Sequence, residues 1–115
     1  MSPPARLRSD FWVSAYLRRC AAAGAAAVLR RRGAAEAGAI FITIDRLDGT
    51  VTVLGPAPQS EAEPDGERRF APVHKAESLS TIDAEARLQR EIGFDADLWI
   101  VAVENREGRS FLGDP

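Results

Sequence analysis

The chain has 115 residues, a formal net charge of −2 at pH 7 and a single cysteine, Cys20. This length is sufficient for a hydrophobic core without disulfides or metals, so we expect residues 1–115 to form one domain. A lone cysteine excludes an intramolecular disulfide and the paired-cysteine zinc motifs, and it favours a reducing, cytoplasmic location. No apolar run reaches the roughly 20 residues of a membrane-spanning helix, so we expect no membrane association.

Charge is distributed unevenly along the chain. Residues 1–32 carry seven arginines and one acid, whereas the remainder carries eight basic and sixteen acidic residues. Such asymmetry is typical either of a protein with an anionic partner or of two surfaces that neutralise each other within one domain. We favour the second interpretation, in which Arg18 and Arg19 contact the acidic second helix.

The first predicted element is a helix that begins at Ser9 and ends near Ala23. Ser9 is a typical N-cap, Asp10 suits the positive end of the helix dipole, and Gly24 is a suitable left-handed terminator. Apolar residues recur at helical spacing and place Cys20 on the inner face, where a cysteine is usually a small core residue.

Trp12, Tyr16 and Arg19 share one face of this helix. The simplest interpretation is that the aromatic rings pack on the sheet while the arginine stem covers their edge. The alternative is a surface that stacks on bases or binds phosphates, to which Arg8 and the other early arginines contribute.

A strand is predicted next, from Ala25 to Arg31. Three successive arginines close it: Arg30, Arg31 and Arg32. Successive side chains of a strand point to opposite faces, so these three cannot all reach one ligand unless the chain bends. A solvated strand edge, protected by charge from unwanted pairing, explains them equally well.

A β-hairpin follows the arginines. Apolar alternation runs through Ile40–Asp45 and Thr50–Leu54, and the pair Asp48-Gly49 between them suits a two-residue type I′ turn. This turn predicts that Ile44 lies opposite Val53. The isoleucines and valines would then form a single core-facing side.

The segment Gly55–Gln59 contains two prolines and is therefore rigid. It either stiffens the exit from the hairpin or holds Gln59 at the rim of a protein or small-ligand surface. Beyond it, polar and turn-forming residues predict a mobile loop at 57–69.

The second half contains a helix and an interior strand. Ser80, with Asp83 three residues later, is a variant of the capping box, and the helix is expected to end at Gly93. Residues Leu98–Val103 are apolar on both alternating faces, which is typical of an interior strand. The element order of helix, three strands, helix and strand predicts a two-layer α+β fold, with two helices against a mostly antiparallel sheet.

Short motifs along nearly the whole chain resemble a small bacterial family that is catalogued as domain of unknown function 1491. They are Arg6–Val13, Arg31–Gly33, Ala37–Ala39, Arg46–Gly49, Gly55–Gln59, Arg69-Phe70 and Phe94–Trp99. The chain departs from the family pattern at Ala96, where a proline is expected between two aspartates. The resemblance implies a stand-alone cytoplasmic domain and assigns no catalytic residue.

The residues offer few catalytic groups. His74 is the only histidine and lacks a carboxylate pair at metal-ligand spacing, and Cys20 is expected to be buried. Glycine motifs that bind phosphate and a GxSxG nucleophile elbow are absent. We therefore predict no catalytic residue, no metal and no cofactor. A degenerate nuclease is a remote alternative by fold analogy, although Asp45 and Asp48 are more typical of turn formers.

We predict a small interaction or regulatory module without catalytic activity. Its protein partner is unknown, and the short chain, two tryptophans and apolar last strand suggest a homodimer. The alternative is a nucleic-acid-binding protein that uses the arginine-rich residues 1–32. The candidate binding residues are Arg8, Trp12, Arg19, Arg30, Arg32 and Gln59.

Overall fold

The computed structural model describes residues 7–58 and 68–113. Within these residues the chain forms two helices, α1 (Ser9–Ala22) and α2 (Thr81–Phe94). The strands are β1 (Ala26–Arg31), β2 (Ile40–Asp45), β3 (Thr50–Pro56), β4 (Phe70–Pro72), β5 (Leu79–Ser80) and β6 (Trp99–Glu104). Neither of the two described helices is long and apolar enough to cross a membrane.

The strands form one sheet in the order β1-β6-β2-β3-β4, and the short strand β5 pairs with the start of β3. Neighbouring strands are antiparallel except for β2 and β6, which run parallel. The predicted α+β class, with two helices and a mostly antiparallel sheet, is confirmed. β6 lies between β1 and β2, which confirms the interior strand expected from its apolar residues on both faces.

Both faces of the sheet are buried, because each carries one helix. Ile42 of β2 belongs to the core under α1, together with Tyr16, whereas its neighbour Phe41 belongs to the core under α2, together with Leu88. Full burial of such side chains contributes about 1.5–3 kcal/mol each to the free energy of unfolding. The sheet is thus a middle layer between the helices, whereas the sequence predicted two layers.

The hairpin register differs by one residue from the predicted one. Ile44 lies opposite Thr52 instead of Val53, and Asp45 lies opposite Val51. The predicted face that unites isoleucines with valines is therefore wrong, because the isoleucines face α1 while the valines of β3 face α2. A one-residue shift normally exposes a hydrophobic set, but with both faces buried the apolar pattern fits either register.

The hairpin connection is a three-residue loop held by its two aspartates. Asp45 Oδ1 accepts a hydrogen bond from the Leu47 amide at 2.8 Å, and Asp48 Oδ1 accepts one from the Thr50 amide at 3.0 Å. Leu47 and Gly49 have φ angles of 63° and 88°. Both aspartates are turn formers, as the sequence indicated.

The two helices begin differently. The predicted N-cap role of Ser9 is wrong: Arg8 is the N-cap and makes no capping bond through its side chain. The buried Ser9 hydroxyl instead donates to the Gly38 carbonyl at 2.6 Å, which fastens the start of α1 to the loop before β2. For α2 the prediction is confirmed, because Ser80 Oγ accepts a hydrogen bond from the Asp83 amide at 3.1 Å.

The loop between β1 and β2 passes very close to Trp99. The indole Nε1 donates to the Ala34 carbonyl at 2.8 Å, and the Gly38 amide donates to the same carbonyl at 3.2 Å. The Ala34 amide donates to the Asp97 carbonyl at 2.8 Å. A Cβ added at Gly38 would lie 2.3 Å from the Asp97 carbonyl oxygen, so the backbone has room only for glycine.

Candidate anion-binding groove

The segment 105–113 lies along α1 and forms one wall of a groove. It starts with a turn in which Asn105 Oδ1 accepts hydrogen bonds from the amides two and four residues on, at 3.1 and 2.8 Å. The Tyr16 hydroxyl on α1 then donates to the Ser110 carbonyl at 2.5 Å. Local and tertiary hydrogen bonds together hold this wall against the helix.

The groove consists of two adjoining cavities of about 610 and 510 Å³ that share Arg19, Leu112 and Gly113. We call it the arginine groove. Its α1 side is lined by Trp12, Ala15, Tyr16, Arg19 and the C-cap residue Ala23. Its other sides are lined by Leu7, Arg68, Arg69, Phe70 and residues 108–113. Both volumes lie in the range of about 300–1,000 Å³ that is typical of ligand-binding clefts.

An aromatic cluster lines the cavity of about 610 Å³ in the arginine groove. The Trp12 ring stacks on Tyr16 with centroids 5.1 Å apart, and its centroid lies 5.2 Å from that of Phe70. Tyr16 is only 2% exposed, and this burial raises the pKa of its hydroxyl above the ordinary value. The expected packing of the aromatic rings is confirmed, because Tyr16 belongs to the core and Trp12 packs against it.

Arginine supplies the charge of the groove. Within the described residues its lining contains Arg19, Arg68, Arg69 and Arg109 and no acidic side chain. Arg19 Nη1 donates to the Phe111 carbonyl at 3.5 Å, and the Arg109 guanidinium carbon lies 4.9 Å from the centre of the Phe111 ring. Arg19 and Arg109 thus present two positive charges that contact no acidic side chain among the described residues.

The sheet edge and α1 position two of these arginines. The Ala57 amide donates to the Arg69 carbonyl at 2.9 Å, which extends the pairing of β3 with β4 by one step. Arg68 Nη2 donates to the Leu7 carbonyl at 2.9 Å and to Ser9 Oγ at 3.0 Å. Arg68 therefore also fastens the sheet edge to the start of α1.

Of the six candidate residues, the structure brings Trp12 and Arg19 together in the groove. Their shared helix face was visible in the sequence because positions seven residues apart lie on one side of a helix. Gln59 lies outside the described residues, as does most of the predicted mobile loop at 57–69.

Arg8 does not line the groove. Its Nη2 lies 3.2 Å from Asp10 Oδ2, and its guanidinium carbon lies 5.0 Å from the centre of the Phe11 ring. The hydrogen bond from Arg8 lowers the pKa of the Asp10 carboxyl. The contact expected between Arg18 or Arg19 and α2 does not form, because the sheet separates the two helices.

The three arginines at and after the end of β1 contact different partners, and the pairing of β1 with β6 is irregular between Leu29 and Arg31. Arg30 forms a bidentate pair with Glu85 of α2, and this hydrogen bonding lowers the pKa of the Glu85 carboxyl. Arg31 Nη1 donates to two carbonyls of the loop before β6, at 3.0 and 2.8 Å. The Arg32 guanidinium carbon lies 5.1 Å from the centre of the Trp99 ring. These contacts place Arg30 and Arg32 apart from the groove.

Sequence reasoning missed the groove residues that come from distant segments: Arg68, Arg69, Phe70, Arg109 and Leu112. One signal was present in the sequence, since two arginines directly precede the aromatic Phe70. For Arg109 and Leu112 there is no local signal. Their position depends on the tertiary hydrogen bond that holds the last segment to Tyr16.

The single histidine and the single cysteine of the chain have structural roles outside the groove. His74 Nε2 accepts a hydrogen bond from the Val53 amide at 3.0 Å, and its Nδ1 donates to the Ala76 carbonyl at 2.7 Å. Cys20 is fully buried, and burial raises the pKa of its thiol, which disfavours a thiolate nucleophile. Within residues 7–58 and 68–113, no three His, Cys, Asp or Glu side chains lie together in an arrangement that could hold a metal ion.

Comparison with known proteins places this fold in a family. A family model described as "Protein of unknown function (DUF1491)" matches residues 7–113. The chain belongs to the DUF1491 family. The resemblance inferred from its motifs is thereby confirmed, and the DUF1491 description assigns no activity. No curated protein matches the chain.

Solved structures similar to this DUF1491 chain extend over nearly its whole length. A crystal structure of a DUF1491 family protein from Caulobacter crescentus CB15 is 36% identical, covers 95% of this chain and 97% of its own, and has a TM-score of 0.76. A solution structure of a protein from A. tumefaciens is 38% identical, covers 96% and 98%, and has a TM-score of 0.78. An NMR structure of a DUF1491 protein from C. crescentus CB15 is 34% identical, covers 97% of both chains and has a TM-score of 0.77.

Proposed function

We propose that this DUF1491 protein is a non-enzymatic interaction module of the cytoplasm, formed by residues 1–115 as one domain, whose arginine groove binds an anionic group of its partner. The observation that carries the proposal is the pair Arg19 and Arg109 in the lining of the groove. Within the described residues their guanidinium groups contact the Phe111 carbonyl and the Phe111 ring and no acidic side chain. Charge complementarity of this kind steers a partner and fixes its orientation.

Arginine is well suited to this role. Its planar guanidinium stays charged at all relevant pH values and can bind a carboxylate or phosphate through two parallel hydrogen bonds. Arg19 lies on a helix and borders both cavities, so a rigid element presents it.

The alternative proposal, a nucleic-acid surface made by residues 1–32, has weaker support. Arg30 is paired with Glu85, and Arg32 lies over Trp99, so neither adds to a continuous basic surface with Arg19. A degenerate nuclease has no further observation in its favour, since the carboxylates of Asp45 and Asp48 hold the hairpin loop.

Self-association remains a prediction, but the strand that suggested it cannot form the contact. The apolar last strand that motivated it is β6, which is interior, and Trp99 is 1% exposed. Among the exposed apolar residues, Val28 and Leu29 lie on the edge strand β1 and are 62% and 37% exposed. Light scattering at high micromolar concentration tests the homodimer, and a monomer mass would remove it.

Thermal unfolding with citrate as a simple anionic probe tests the groove. A ligand at ten times its Kd stabilises the native state by about 1.4 kcal/mol. For a chain of 115 residues this raises Tm by roughly 6 °C. We expect this rise for the wild type in citrate relative to potassium chloride of equal ionic strength.

Two matched variants give the experiment its specificity. Arg19→Gln removes the charge that borders both cavities and should abolish most of the citrate effect. Arg18→Gln removes the same charge from the next, exposed position of α1, which does not line the groove, and should leave the effect unchanged. An equal rise in both variants, or no rise in the wild type, would contradict the proposed function.

A further inference from the structure

We infer that the occupant of the arginine groove is a short acidic segment of a partner protein, bound in an extended conformation with a carboxylate at Arg19 and apolar side chains on either side of it. This inference rests on the proposed function and names the partner chemistry. It follows from the length of the groove, from the order of residues along α1, from the stacking and burial of the aromatic rings and from the charges outside the groove.

The length of the groove fits a peptide. The lining residues of α1 and its C-cap run from Trp12 to Ala23, a distance of about 16 Å at the helical rise of 1.5 Å per residue. An extended chain advances about 3.3 Å per residue, so roughly five residues cover this distance. A wall of backbone and side chains from 108–113 runs along the opposite side.

The order of residues along α1 alternates charge with small apolar side chains. Ala15, Arg19 and Ala23 are spaced four residues apart and therefore lie in one row on the helix surface. The two alanines leave room on either side of the guanidinium. Leu112 faces the same space and adds apolar surface. Such a row can bind a carboxylate at its centre and apolar side chains at its flanks.

The aromatic rings favour a peptide over single-stranded nucleic acid. Nucleic-acid binding without sequence preference uses exposed ring faces on which bases stack. Here Trp12 already stacks on Tyr16 and contacts Phe70, and Tyr16 is 2% exposed. These rings supply an apolar surface for a side chain.

Charge outside the groove favours the same partner. A nucleic-acid strand needs a basic surface that follows its backbone over several phosphates. The arginines at the end of β1 are paired with Glu85, with loop carbonyls or with the Trp99 ring. The chain as a whole is acidic, with a pI near 5.4. A short groove with arginines in its lining suits a short run of carboxylates.

Selection from a displayed library of random dodecapeptides tests the inference without assuming a sequence. We expect the peptides enriched on the wild-type protein to carry several Asp or Glu residues and at least one large apolar residue. Fluorescence of Trp12 reports their binding, because this tryptophan lines the groove while Trp99 is buried. Synthetic copies should bind Arg18→Gln as they bind the wild type, and Arg19→Gln at least about tenfold more weakly, a loss of about 1.4 kcal/mol.

A second pair of variants tests location independently of charge. Ala15→Leu fills the groove, whereas Ala21→Leu makes the same change at an exposed position of α1 outside it. Only the first should weaken peptide binding.

Two results would overturn the inference: enriched peptides without acidic residues, or acidic peptides that bind Arg19→Gln as well as they bind the wild type. Oligothymidylate that binds in an Arg19-dependent manner, with no acidic peptide enriched, would overturn the peptide partner and leave the anion-binding function standing. Loss of the Arg19-dependent citrate effect would remove the proposed function itself.

Discussion

Gly38→Ala should destabilise the protein strongly although it adds a single methyl group. The new Cβ would lie 2.3 Å from the Asp97 carbonyl oxygen and 2.9 Å from both the Ala34 carbonyl oxygen and Cδ1 of Trp99. Two of these neighbours are backbone atoms, so the loop must move. Overpacking of this kind costs about 1–3 kcal/mol. Weakening of the hydrogen bond from Trp99 to Ala34 adds about 1 kcal/mol.

The expected loss is therefore about 2–4 kcal/mol, out of roughly 5–15 kcal/mol that a protein of this size has in total. This corresponds to a fall in Tm of roughly 8–16 °C for a chain of 115 residues. Thermal unfolding followed by far-UV circular dichroism measures Tm, and urea unfolding gives the free energy.

Gly93→Ala is the matched control, because the same methyl group is added where nothing lies within 4 Å of the new Cβ. Gly93 is helical, so alanine should raise the free energy of unfolding by about 0.5–1 kcal/mol. If Gly38→Ala unfolds at the wild-type Tm, the close approach of the loop to Asp97 does not constrain the fold, and the argument from packing fails.

Two further predictions concern the hydrogen bond from Tyr16 to the groove wall and the contacts of Arg31 and Arg32 near the start of β6. Burial raises the pKa of the Tyr16 hydroxyl in the folded protein. The contribution of Tyr16 to the free energy of unfolding is therefore fully present below the ordinary tyrosine pKa of about 10. It is lost as pH rises through the higher pKa of the folded state. Because Tyr16 is the only tyrosine, tyrosinate absorbance should appear together with alkaline unfolding, and its appearance near pH 10 in the folded protein would contradict the burial argument. Arg31→Ala should cost about 1–2 kcal/mol in urea unfolding, because it removes two hydrogen bonds to loop carbonyls. Arg32→Ala, which loses a cation–π contact, should cost about 0.5–1 kcal/mol. A larger loss of free energy of unfolding in Arg32→Ala than in Arg31→Ala would refute these assigned roles.

Those parts of the fold that depend on local signals were predictable. The cap at Ser80 and the apolar stripe beyond it determine α2, and unbroken apolar residues from Leu98 mark an interior strand. Strands β4 and β5 contain only three and two residues, too few to show a period. The hairpin register was not predictable from the apolar pattern, because side chains on both faces of Ile40–Asp45 are buried.

The candidate site was predictable only where one helix carries it. Trp12 and Arg19 are neighbours on the surface of α1, and sequence spacing alone brings them together. Phe70 and Arg109 reach the same groove through sheet pairing and through the Tyr16 hydrogen bond, which no local pattern encodes. Arg30 was a candidate because of its charge, but the acid that neutralises it, Glu85, is 55 residues away along the chain.

The place of β6 between β1 and β2 has a consequence for how the chain folds. β1 and β2 follow each other in sequence, yet they pair only with β6 and β3, not with each other. The hairpin of β2 and β3 can form early, whereas β1 has no partner until residues 99–104 are available. On the ribosome the first strand must therefore wait, unpaired, until the last strand has been synthesised. Insertion of that final strand joins both halves of the sheet in one late step, and such long-range pairing is the kind that slows folding.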